Sequence, residues 1–149
     1  TGIGGAVIVD GNIFPGADGA AGECGQMKLP DGTVFEQVYS GPAIKRLFGI
    51  STSEIPLLVK KNDPGAIKAL DHLIDGLSIF LANITTLLNP EIIVVGGGVS
   101  SLGDILLKPL EKKIREQAFS ISGVNVKVVR AGLGTDSGAI GAVELLFNR

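Results

Sequence analysis

Glu91-Ile92-Ile93-Val94-Val95-Gly96-Gly97-Gly98-Val99-Ser100 sets a short β-branched run directly against consecutive glycines. A run of that length and composition reads as a buried strand, and the glycines end it in a tight turn. Upstream, Asp63 and Pro64 supply an N-cap and a first-turn proline, and Ile67, Leu70, Ile74, Leu77, Leu81, Ile84 and Leu88 follow at steps of three and four. The spacing predicts a helix of about six turns, closed at Asn89-Pro90. Downstream, the pattern predicts a helix over 102–119 perturbed at Pro109, a strand over 124–129 and a break at 132–134. A last helix is predicted over 139–147, capped by Asp136 or Ser137. Helix, strand, helix, strand, helix implies a parallel pair covered by helices.

Toward the amino terminus the pattern changes. Ala6-Val7-Ile8-Val9 and Ile13-Phe14 flank Asp10-Gly11-Asn12, the composition of a tight hairpin connection. The segment 14–25 lacks apolar periodicity and reads as a long loop. Ser40 and Pro42 start a short helix through Phe48, stopped by Gly49, and Ser53 caps another before Leu57-Leu58-Val59. Hairpin and crossover together predict an α/β domain with a mixed sheet flanked by helices.

At 149 residues the chain fits one domain, and 45% hydrophobic residues supply its core. Cys24 is the only cysteine and His72 the only histidine, so no internal disulfide and no His/Cys zinc cluster can form from this chain alone. A reducing cytoplasm is the simplest compartment. The net charge is -2 and the basic residues reach no run longer than Lys60-Lys61 or Lys112-Lys113, which gives nucleic-acid binding no support. The chain lacks the long apolar run of a membrane span and the leader pattern of a signal peptide, so a soluble protein is expected.

The outlying feature is 22 glycines, gathered in particular turns. Such turns let backbone N–H groups approach phosphate oxygens, because no Cβ stands in the way. One turn holds Thr1, Gly2, Gly4 and Gly5; the other holds Gly96, Gly97, Gly98, Val99 and Ser100 at a strand-to-helix junction. Both are candidate nucleotide contacts. No P-loop pattern occurs, and a dinucleotide fingerprint started at Gly96 fails at Ser101.

Thr1-Gly2-Ile3-Gly4-Gly5, Gly22-Glu23-Cys24-Gly25, Val94-Val95-Gly96-Gly97-Gly98-Val99-Ser100 and Gly134-Thr135-Asp136-Ser137-Gly138-Ala139-Ile140-Gly141-Ala142 follow one another in this order. In that order the chain resembles the carboxy-terminal half of the ROK family of repressors and sugar kinases. The resemblance implies the actin, hexokinase and Hsp70 type of fold (ribonuclease H-like), with residues 1–149 as the carboxy-terminal lobe of a two-lobed protein. It implies ATP and Mg²⁺ between the lobes and a hexose or amino sugar as acceptor. The first glycine turn would be the second phosphate loop, 96–100 the adenosine loop, and 134–141 small residues near the nucleotide. Glu23 matches the family's sugar-binding glutamate, and Glu36, ahead of Ser40-Gly41, resembles its later sugar-contacting glutamate. A carboxylate suits sugar hydroxyls, since charge-assisted hydrogen bonds are about twice as strong as neutral ones.

The chain departs from the family at Gln26, where Gly-His is usual, and it lacks the cysteine-rich zinc segment between Gln26 and Glu36. Zinc is therefore not expected, and Gln26 would meet the sugar through its amide. The resemblance places the catalytic aspartate and first phosphate loop upstream of Thr1, so residues 1–149 alone should be inactive. A full-length homodimer is also implied. The parent reads as a sugar kinase, with the sugar-sensing domain of a ROK-type repressor as the alternative. Other residues read more plainly: His72 as a surface residue off the apolar stripe, Cys24 in a small apolar slot, and the charges from Glu111 to Glu116 as a solvated helix face.

Overall fold

The computed structural model describes residues 2–134 together with Ile140, Gly141 and Val143. Thr1, the proposed caps Asp136 and Ser137, and most of the predicted 139–147 helix lie outside the described residues. The hairpin forms as β1 (Val7–Val9) and β2 (Asn12–Phe14), antiparallel, with Val7 facing Phe14. Its turn residues Asp10 and Gly11 take φ of 51° and 78°, the two positive values that a two-residue connection needs to match strand twist.

Four helices follow. α1 (Glu36–Tyr39) leads directly into α2 (Gly41–Phe48), capped by the Ser40 hydroxyl, which accepts the Ala43 N–H at 3.3 Å; Gly49 ends α2 in a left-handed conformation. α3 (Ile55–Lys60) starts after Glu54, so Ser53 does not cap it. α4 (Pro64–Leu88) is the long helix the periodicity predicts. Asp63 Oδ1 accepts the Ala66 N–H at 2.8 Å, and Asn89 closes the helix at φ 47°.

β3 (Ile92–Val95) and β4 (Lys127–Arg130) pair in parallel, Ile92 beside Lys127 and Val95 beside Arg130. The crossover between them runs through a 3-10 turn (Gly98–Leu102), α5 (Asp104–Gln117) and α6 (Ser120–Gly123). The predicted 102–119 helix thus begins later, because Gly103 sits at φ 59° and interrupts it; Pro109 lies inside α5. The 124–129 strand likewise shifts to 127–130. Parallel and antiparallel pairing are both present, as two separate ladders among the described residues.

The core lies where α4, α5 and β4 meet, around Leu73, Leu106, Leu110, Ile114 and Val126, with Ile44 and Ile55 closing it from α2 and α3. Glu111 and Arg115 are not merely a solvated face: Glu111 Oε2 accepts the Val128 N–H at 2.8 Å, and the Arg115 guanidinium donates twice to the Val126 carbonyl at 2.9 and 3.1 Å. With the Arg115–Glu111 ion pair at 3.0 Å, these side chains occupy backbone groups on the β4 edge away from β3, which would otherwise template pairing with another chain.

Candidate functional site

Both glycine turns open onto one cleft of about 780 Å³. Gly2, Ile3 and Gly4 line it from the first turn, and the end of β3 with Gly96, Gly97, Gly98 and Val99 lines it from the second. Leu77, Phe80 and Leu81 of α4 supply an apolar floor. Gly97 takes φ 65° and ψ -165°, a region open in practice only to glycine, and this lets the chain leave β3 and turn into the 3-10 segment. Ser100 and Gly5 do not line the cleft. The Ser100 side chain is buried and donates to the Gly97 carbonyl at 2.8 Å, fixing the turn from inside. Gly5 packs instead against Cys24 and Gly22.

The loop carrying Glu23 lies against the first glycine turn. A Cβ on Gly25 would run into the Ile3 carbonyl, and one on Gly22 into the Gly5 carbonyl, so both glycines permit backbone contact that no other residue allows. The segment read as irregular closes as a 3-10 turn over Cys24–Gln26. Glu23 precedes it with its side chain exposed, and its carboxylate accepts no hydrogen bond among the described residues. Cys24 is half-buried and lines the cleft; burial pushes its thiol up from the ordinary value and keeps it protonated at neutral pH.

Glu36 joins these pieces. One carboxylate oxygen accepts the Ile3 N–H at 3.1 Å and the other accepts the Gln26 amide at 2.8 Å. A Cβ on Gly2 would clash with the same carboxylate. Gln26 and Glu36 therefore sit against the first turn, Glu23 lies at the head of the 3-10 turn that carries Gln26, and none of the three is among the described residues that line the cleft. Two carboxylate oxygens offer about four lone-pair directions, so two stay open on Glu36.

An aromatic stack backs the site. Phe35 stacks on Phe80 with centroids 4.1 Å apart and meets Tyr39 at 4.8 Å. Tyr39 stacks in turn on His72 at 4.8 Å, and His72 Nε2 lies 3.3 Å from the Val38 carbonyl. His72 is thus half-buried rather than a surface residue. Its place off the leucine stripe of α4 is the face that receives α1, which the periodicity of α4 alone does not reveal.

Sequence reasoning missed the wall made by Ser40, Gly41, Pro42, Lys45, Ser51 and Thr52. Its signal is Ser40-Gly41-Pro42, which reads as a helix start and nothing more until α2 is seen lining the same cleft as β3. Among the described residues no cluster of three or more His, Cys, Asp or Glu side chains could hold a metal ion, and no helix is long and apolar enough to cross a membrane.

The chain is similar to a glucokinase of Halalkalibacterium halodurans, 32% identical over 95% of this chain and 52% of the relative, and to an N-acetyl-D-glucosamine kinase of Photobacterium profundum, 30% identical over 97% and 55%. It spans about half the length of these curated relatives. A ROK family glucokinase from Streptomyces griseus, solved with glucose and AMPPNP, superposes with a TM-score of 0.87 at 28% identity over 97% of this chain and 57% of that one. A ROK family transcriptional regulator, a homolog of the E. coli MLC protein, superposes at 0.73 with 26% identity, over 87% of this chain and 39% of that one. These likenesses carry the actin/hexokinase-type α/β fold, and the family model for ROK matches residues 1–149. The chain belongs to the ROK family.

Proposed function

We propose that residues 1–149 form the carboxy-terminal lobe of an ATP-dependent sugar kinase that phosphorylates a hexose or an N-acetylamino hexose. The observation that carries this reading is the shared cleft: both glycine turns face it, and the Glu23 loop is packed on the first of them. The kinases among the relatives, and the glucose and AMPPNP bound in the Streptomyces griseus enzyme, support the same reading. The apolar residues exposed on the hairpin and on β3, among them Val9, Phe14 and Val94, support a partner lobe lying against this one.

In this account the amides of Gly4 and of 96–98 meet the nucleotide, while the apolar floor excludes water from its base. The Ile3 N–H is already taken by Glu36, so Glu36 sets the shape of the turn and leaves Gly4 to the phosphates. Glu23 and the open lone pairs of Glu36 accept hydrogen bonds from sugar hydroxyls, with Gln26 holding Glu36 in place. Mg²⁺ would arrive on the nucleotide's phosphates and offset their charge; no cluster among the described residues binds it independently. The base that takes the hydroxyl proton belongs to the other lobe, and residues 1–149 alone bind without turning over. The protein acts as a soluble homodimer in the cytoplasm.

The test is sugar-dependent ADP release by the full-length protein with glucose, mannose and their N-acetylamino forms. Release with one of them is expected; none with any of them would remove the kinase reading. The likeness to a transcriptional regulator favours the second reading, a sugar-sensing repressor domain. Sugar-dependent binding of operator DNA without ADP release would establish that one instead.

A further inference from the structure

Lys45 is the only cation on the cleft wall among the described residues, and neither the family resemblance nor the motifs assign it a role. It lies on the exposed face of α2, one position beyond Ala43 and Ile44, which face the core. The neighbouring cation is differently disposed: the Arg46 guanidinium donates to the Gln37 carbonyl and is held in the fold. Among the described residues Lys45 forms no ion pair or hydrogen bond, and no Asp or Glu side chain among them lines the cleft to neutralise it. Glu54, near the cleft residue Ser51, is occupied by the Ser51 N–H, which it accepts at 2.9 Å.

A lone ammonium in a concave site with apolar walls raises the local concentration of anions, because the low-dielectric walls focus its field. The cleft's other polar side chains are the hydroxyls of Tyr39, Ser40, Ser51 and Thr52 and the thiol of Cys24, beside the backbone groups of the two glycine turns. One ammonium and no carboxylate among the described lining residues suit this cleft to an anion better than to a cation. Resting on the kinase reading above, we infer that Lys45 binds the phosphate chain of the nucleotide and adds a charged contact to the amide contacts of the two glycine turns. Its flexible stem lets the ammonium follow the phosphates as a point charge, a role arginine can share in part.

The experiment is equilibrium titration of the full-length protein and its K45M and K45R variants with ATP and, separately, with adenosine, at 50 and 200 mM salt. K45M should bind ATP about tenfold more weakly at low salt, lose part of the wild-type salt dependence and bind adenosine within about twofold of wild type. K45R should recover most of the ATP affinity. ATP binding by K45M within about twofold of wild type would overturn the assignment and leave the kinase reading standing. Equal weakening toward ATP and adenosine would overturn it too, since the side chain would then be shaping the cleft. A wild-type protein that binds neither ligand would overturn both.

Discussion

Glu36 accepts the backbone N–H of Ile3 at 3.1 Å across 33 positions of sequence, so the acid proposed to meet the sugar also supports the turn proposed to meet the nucleotide. Glu36→Ala should therefore damage two functions at once. It leaves a partly buried N–H without its acceptor and should lower stability by about 1–3 kcal/mol. Glu36→Gln keeps a carbonyl acceptor for Ile3 and should lose less. Chemical denaturation of the variants measures the difference, and an unchanged midpoint in Glu36→Ala would show the contact to be dispensable.

The Gln26–Glu36 bond, 2.8 Å long, joins two exposed or half-buried groups and should be worth about 1 kcal/mol by a double-mutant cycle. Its larger effect should be on sugar affinity, as Gln26→Ala removes one of the two hydrogen bonds that hold the Glu36 carboxylate. A rise in the KM for sugar with little change in the KM for ATP is the expected result.

Gly76 lies in α4 beneath Tyr39, whose ring occupies the space a Cβ would need. Gly76→Ala gains helix propensity but pushes the Phe80, Phe35, Tyr39 and His72 stack off its seat. Overpacking of this kind costs about 1–3 kcal/mol, which exceeds the gain of about 1 kcal/mol from replacing glycine in a helix. A melting temperature below wild type is expected, and an increase would contradict the packing described.

α4 is legible from its leucine spacing, its Asp63 cap and Asn89, and the hairpin from Asp10-Gly11, because each signal is local. α1, α6 and the turn at Cys24–Gln26 are too short for a periodicity to register. His72, Glu111 and Arg115 read as surface residues because their partners lie on other elements, as far off as Val38 at 34 positions. The glycines, Glu23 and Glu36 are legible as candidates through a family resemblance, but the Glu36–Ile3 contact and the Lys45 wall exist only once the chain is folded.

Cys24 gives a pH-dependent readout. Burial raises its thiol above the ordinary value, so the reactive thiolate is scarcer at neutral pH than on a free cysteine and becomes abundant only as pH rises through the elevated value. Alkylation by iodoacetamide should be slow at pH 7, accelerate steeply toward pH 10 and be slowed further by a nucleotide filling the cleft. Rapid labelling at pH 7 would mean that the thiol is neither buried nor protonated as described.

Hydrogen exchange of backbone amides in the full-length protein, with and without AMPPNP, addresses the shared cleft most directly. Joint protection of the amides at Gly4 and at 96–98 is expected on adding the nucleotide, with sugar adding protection at 23–26. Protection of one turn without the other, or of neither, would contradict a single nucleotide site built from both.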